Sequence, residues 1–362
     1  MAQVLSCWLK TLSKIILLKY ARHIPNRTIW HKDQEYLFYG GTGYLGIHGN
    51  QDFGDLVKQG LDLYGTNYGA SRLGIDIPVF NQAEEKLAAW IGAQSSVLVS
   101  SGTLAGRLML EVLGDDYFYH FATNAHVAIH PGYHHHSPNS FSCSIEDSLD
   151  HIHLSDHNRH VITFNSVDAL TGTRPDLSWI TRLPKDKEIV LIMDDSHAIG
   201  LIGHNCGGLY HEVLALHPNT IVIASLGKAM GLPGGLIAGP VQYISSIRTH
   251  PLFGGSSPMV PAYVHAYLHA DQIYAQAQHA LLNNTTYFIS MTNDLAMFTF
   301  TQGLPVYCTD RHALADYLEL KKIKISHFAY PSPKDRLYTR IIISALHSLQ
   351  DLDKLVAEIK KF

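Results

Sequence analysis

Between about residues 95 and 245, short apolar runs alternate with longer amphipathic stretches. Val97–Val99, Ile189–Met193 and Thr220–Ala224 are uninterrupted and rich in branched residues, the pattern of parallel strands covered on both faces. Tyr117–Ala122 and Arg159–Asp168 read as two further strands that end in polar residues. Helices are expected from Pro78 to Ile91, with Glu84, Glu85 and Lys86 outward, from Gly102 to about Leu113, and from Pro175 to Leu183, with Trp179 inward. This alternation predicts an α/β fold with a mainly parallel sheet wrapped on both faces. Residues 262–282 read as one long Ala- and His-rich helix, and from about 283 short strands and two helices give an α+β end closing with an amphipathic helix from Leu352 to Ile359. The expected organisation is an arm and the start of a small domain over residues 1–50, a large α/β domain over 51–275, and a C-terminal α+β domain over 276–362.

Two of the strands stop at groups that carry chemistry. The run 189–193 ends in Asp194-Asp195-Ser196-His197, and the run 220–224 ends in Ser225 with Lys228 three residues later among Gly227, Ala229, Gly231 and Gly234-Gly235. Open α/β sheets bind ligands outside such carboxyl ends. Taken singly, an Asp-rich strand end is more often a cap or a turn, and a lone lysine is more often solvated. As a pair with Gly-rich flanks they suit pyridoxal phosphate (PLP) chemistry, in which Lys228 forms the Schiff base and Asp194 keeps the pyridine nitrogen protonated. The turn at Gly102 adds a helix N-terminus whose Thr103 and Leu104 amides, with the Thr103 hydroxyl, would hold the phosphate.

Asp-Asp-Ser-His-Ala-Ile-Gly (194–200) resembles the Asp-Glu-Ala-His-Ser-x-Gly motif of the α-oxoamine synthases, and Ser-Leu-Gly-Lys-Ala-Met-Gly-Leu-Pro-Gly-Gly (225–235) resembles the lysine loop of the same family. The likeness extends over roughly 36–360. It includes Tyr44-Leu45-Gly46, Ser71-Arg72, Asn124-Ala125-His126, Phe164–Asp168, the stretch around Ser256-Ser257-Pro258, and Arg340, Ser344 and His347. The resemblance implies a fold-type I PLP enzyme with a seven-stranded type of sheet, joining an amino acid to an acyl-CoA with loss of CO2. It implies that His126 stacks on the cofactor ring and helps polarise the acyl carbonyl. Ser166 and His197 would reach the phenolic side, and Ser225 the phosphate. Ser256 and Ser257 would extend into a partner subunit's phosphate site, which implies a homodimer. Lys228, once displaced by the substrate, would remove the α-proton. Arg340 would take both oxygens of the substrate carboxylate. Thr42 stands where the family has an Asn that helps hold that carboxylate. The usual aromatic residue after Gly102 is replaced by Thr103.

Other readings stay open. Transamination uses the same Lys, Asp and Arg, and a PLP-binding protein with little catalysis would accommodate Thr42, Thr103 and Asp195. The residues do not choose the amino acid or the acyl donor; alanine with a pimeloyl donor would put the enzyme in biotin synthesis.

Composition changes the picture little. A net charge of −4, with 16% charged residues, gives no reason to expect nucleic acid or an anionic membrane as partner. Cys7, Cys143, Cys206 and Cys308 lack metal or redox spacing, which fits a cytoplasmic protein. Lys10 and Lys14 interrupt the apolar N-terminal stretch, which reads as an amphipathic helix rather than a signal or a membrane span. The 24 histidines include His134-His135-His136 and a group at 151, 153, 157 and 160. Within these groups His153 and His157 have helical ligand spacing, but their surroundings read as loop, so no metal is expected.

Overall fold

The computed structural model describes residues 26–31, 34–130, 140–330 and 332–362. The expected N-terminal helix and the His134–His136 run lie outside the described residues. The large sheet has seven strands: β3 (Ser95–Val99), β4 (Phe118–Ala122), β5 (Ser140–Cys143), β6 (Arg159–Asn165), β7 (Glu188–Asp194), β8 (Thr220–Ser225) and β9 (Gly235–Gly239). Their spatial order is β3-β9-β8-β7-β6-β4-β5, and β9 alone runs against its two neighbours. The central strands bury side chains on both faces, as their unbroken apolar runs require. In β7, Val190 and Ile192 join one core layer, while Leu191 and Met193 join the other.

A second sheet of five strands, in the order β1-β2-β11-β12-β10, is built from both regions of the described chain: β1 (Thr28–His31), β2 (Gln34–Tyr39), β10 (Val306–Thr309), β11 (Ile323–Ala329) and β12 (Leu337–Ile342). The parallel pairing of β2 with β11 ties the early segment to the late one. The helices are α1 (Gln51–Tyr64), α2 (Pro78–Ile91), α3 (Gly102–Leu113), α4 (Ile145–Leu154), α5 (Tyr210–Leu216), α6 (Val241–Thr249), α7 (Pro251–Gly255), α8 (Pro261–His269), α9 (Asp271–Thr292), α10 (Leu314–Leu320) and α11 (Leu349–Ile359). Ser348 and Asp351 form a reciprocal cap at the start of α11. None of the described helices is long and apolar enough to cross a membrane.

Three expectations are corrected. The single helix over 262–282 is two, α8 and α9, broken at Ala270. Lys86 clamps the break by donating to the Leu268 carbonyl at 3.1 Å and to the Asp271 carboxylate at 2.5 Å. Residues 175–183 form only a short 3-10 turn, Ser178–Arg182, because Asp176 caps Ser178 and Pro184 ends the segment; Trp179 is still inward, edge-on to Phe164. Glu84 is buried rather than exposed. It pairs with Arg72 at 2.5 Å and Arg248 at 2.5 Å and accepts the Leu98 N–H, which fastens α2 to β3. Helix α9 spans position 276 and serves both sheets: Tyr274 and Gln278 bond the carbonyls of Met230 and Gly200, and Asn284 bonds those of Ser344 and His347.

Candidate active site

The carboxyl ends of β6, β7 and β8 are cross-linked by short side chains. Asp194, the last residue of β7, accepts the Ser196 N–H at 3.0 Å, and the Ser196 hydroxyl accepts the Ser225 N–H from β8 at 2.7 Å. At the end of β6, Asn165 accepts the His126 N–H at 3.0 Å and donates to the Asn124 carbonyl at 2.5 Å. The turn after β4 is thereby pinned beside β7, with His126 Nδ1 3.6 Å from Asp194 Oδ2. That nitrogen also accepts the Ala128 N–H at 3.2 Å, which ties the ring to the turn that follows it.

Lys228 is half-buried beyond β8. Burial lowers its ammonium pKa, and Asp194 opposes that shift. His197 is held well below the usual imidazole range, first by burial and then by the Lys228 and Arg340 cations, so it is neutral near pH 7. Its Nδ1 meets the Tyr44 hydroxyl at 2.9 Å, and burial pushes that hydroxyl up to about 12, so Tyr44 keeps its proton.

From β12, Arg340 reaches across to the loop after β6. It donates through Nη1 to the Ala169 carbonyl and, at 3.3 Å, to that of Leu170, and lies over the Phe328 ring. Arg340 is 8% exposed, and its Nε meets no acceptor among the described residues, so the guanidinium retains hydrogen-bonding capacity. Thr42 is half-buried, two residues before Tyr44.

The start of α3 abuts Ser225. A Cβ on Gly102 would lie 2.7 Å from Ser225 Cβ, so only glycine lets the helix terminus close on this strand end. Ser101 caps α3 by accepting the Leu104 N–H at 3.1 Å. The Leu104 amide expected in a phosphate cradle is therefore taken, and Gly102 and Thr103 present the amides without an intrahelical acceptor. Ser166 is fully buried beside Asp195. Ser256 donates to the Leu252 carbonyl at 2.6 Å, and with Ser257 it lines a cleft shared with Leu104 and Arg72.

Sequence reasoning gave no role to Tyr44, Asn165, Asp195 or Ser196. Tyr44 lies inside the motif that carries Thr42, and Asn165 precedes Ser166 at a strand end, so position was the available signal. The residues fit PLP: an anion-binding helix start facing a hydroxyl, a carboxylate at a strand end, and a half-buried lysine between small residues.

The family model for aminotransferase class I and II matches residues 69–359. The chain belongs to that family. The 8-amino-7-oxononanoate synthase of Aliivibrio fischeri is 27% identical over 350 residues, covering 91% of this chain and 89% of its own. Serine palmitoyltransferase of Sphingomonas wittichii superposes with a TM-score of 0.83 at 15% identity, over 99% of this chain and 96% of its own. A structure of SPT with PLP internal aldimine gives 0.82 at 16% identity, with the same coverage. These structural likenesses are of fold. The protein is a PLP-dependent enzyme of the α-oxoamine synthase type.

Proposed function

We propose that this enzyme condenses an amino acid with an acyl-CoA, with loss of CO2, to give an α-amino ketone, and that alanine is the amino acid. What supports the reading is one juxtaposition. Lys228, Asp194, His126 and His197 share the carboxyl edge of the large sheet, and Arg340 is delivered to that edge from the small one. The product name of the curated relatives supplies alanine, since an 8-amino-7-oxo chain carries its amino group on the penultimate carbon.

When bound, PLP supplies an electron sink for the α-carbon. Lys228 holds the cofactor and, once released, moves the α-proton; its lowered pKa leaves more free amine near neutrality. Asp194 presents a carboxylate to the ring nitrogen. Arg340 orients the substrate carboxylate, with Tyr44 and the neutral His197 beside it. His126 orients the ring and polarises the acyl carbonyl. Gly102, Thr103 and Ser225 take the phosphate, and Ser166 and His197 the phenolic side. The working unit is a homodimer, with Ser256 and Ser257 at the partner's phosphate site.

The test is turnover of the PLP-loaded enzyme with alanine, serine or glycine and acyl-CoAs of graded length, read by CO2 release and by product mass. An α-amino ketone from alanine, lost at least about a thousandfold in Lys228→Ala, is the expected outcome. Keto-acid formation without an acyl donor would make it an aminotransferase instead. Light scattering tests the dimer.

A further inference from the structure

A second group of titratable side chains occupies the opposite half of the same sheet. His120 on β4 and His160 on β6 have the same parity as the residues that join the α4-facing core, and α4 brings His151 against them. One nitrogen from each of the three lies within 4.8 Å of the others. His120 Nε2 and His160 Nδ1 are 3.2 Å apart. Two nitrogens held at 2.0–2.1 Å by one tetrahedral ion lie roughly 3.3 Å apart, so this pair already has the spacing of two ligands.

The surroundings fit as well. His160 Nε2 faces the His157 carbonyl at 2.9 Å and must donate to it, which leaves the lone pair on Nδ1, toward His120. Ligating histidines use such an outer hydrogen bond to fix their tautomer. His120 and His160 are fully buried, and burial depresses their imidazoles to about 3 and about 4, with that of His151 lowered too. Phe118 packs against each ring and limits water on that side, while half-buried His151 leaves an entry route. The Lys187 ammonium opposes a cation, but its charge is spread over the carbonyls of Ile152, Ser155 and His157. A wholly imidazole donor set suits borderline ions rather than Mg2+ or Ca2+.

We propose that His120, His151 and His160 form a binding site for a divalent first-row transition-metal ion of the zinc class, tying α4 to β4 and β6. His160 and Asn165 are five residues apart on β6, which puts this site roughly 16 Å along the sheet from the catalytic edge. The sequence pointed away from a metal because the helically spaced pair within this group, His153 and His157, is not the one the fold assembles. His153 instead meets the Arg182 carbonyl.

The test uses the PLP-loaded, full-length enzyme after dialysis against a chelator. Co2+ is added and its visible absorption followed, then Zn2+ is added as competitor. One Co2+ per chain is expected, with the intense bands of a low-coordinate nitrogen site, displaced by Zn2+. His151→Ala, at a half-buried helix position that tolerates truncation, should weaken Co2+ at least about tenfold, and His160→Gln likewise. Equal Co2+ affinity in wild type and His151→Ala, weak six-coordinate bands, or no saturable binding would overturn the proposal. None of these readouts depends on turnover.

Discussion

At the carboxyl ends of β6, β7 and β8, buried groups such as Asp194 and Ser196 and half-buried ones such as Asn165, Ser225 and Lys228 are linked from strand to strand, with Lys228 facing the opposite charge of Asp194. Near the amino ends of β4 and β6, His120 and His160 are fully buried, neutral and enclosed by Phe118. The same strands therefore present two kinds of polarity. One is cross-linked at an open edge where it can meet a ligand, and the other gives up its charge in order to be buried.

The largest effect that sharpens this contrast is on substrate affinity. Arg340→Lys keeps the cation but removes the planar fork that spans a carboxylate, so KM for the amino acid should rise about 10–100-fold with the melting temperature nearly unchanged. His120→Gln should leave KM alone and lower the melting temperature. Equal KM in wild type and Arg340→Lys would remove Arg340 from substrate binding.

The amino-end group should fail in acid. Its folded pKa values, about 3 and about 4, lie below the ordinary 6.5, so the unfolded chain takes up protons first as pH falls. Its stability contribution is complete above pH 6.5 and drains away toward pH 4, by several kcal/mol for the pair. His120→Gln should be less stable than wild type at pH 7.5, with the gap narrowing by pH 4.5. A gap constant across that range would show that these imidazoles are not buried neutral.

The contrast also explains what could be read from the sequence. Asp194, His197, Ser225 and Lys228 sit within two short runs, and the apolar strands before them fix which edge they occupy, so the fold class and the gathering of these residues at one sheet edge were legible. The runs showed five of the seven strands; Ser140–Cys143 and Gly235–Gly239 carry no long apolar run, and the seven-stranded sheet was expected from the family resemblance alone. The burial of Glu84 was not legible, because it depends on Arg72 and on Arg248, which is remote in the chain. Nor was the break at Ala270, where Lys86 of α2 holds the ends of two helices that local propensity would join. The histidine group is the extreme case: its members come from two strands and a helix, and only strand parity and the packing of α4 bring them together.

Asp195 offers the smallest and most discriminating test, because it sits at the catalytic edge but is buried like the histidines. Its carboxylate accepts the Leu209 N–H at 2.9 Å, and Gly208, at φ +84°, lies so close that a Cβ there would strike the carboxylate oxygen. Burial pushes its pKa to about 7. The Ser166 hydroxyl and the Leu209 N–H oppose that rise, while the charges of Asp194 and Glu212 add to it. Here the folded value lies above the unfolded 3.8, so the stability it gives is complete below that pH and lost as pH rises through 7. This is the reverse of the histidine behaviour. Asp195→Asn mimics the protonated acid and keeps a carbonyl for Leu209. Its melting temperature relative to wild type, both loaded with PLP, should therefore climb by roughly 2–4 °C between pH 5.5 and 8.5. Parallel curves over that range would mean that Asp195 is ionised throughout, and that this edge holds no buried neutral acid.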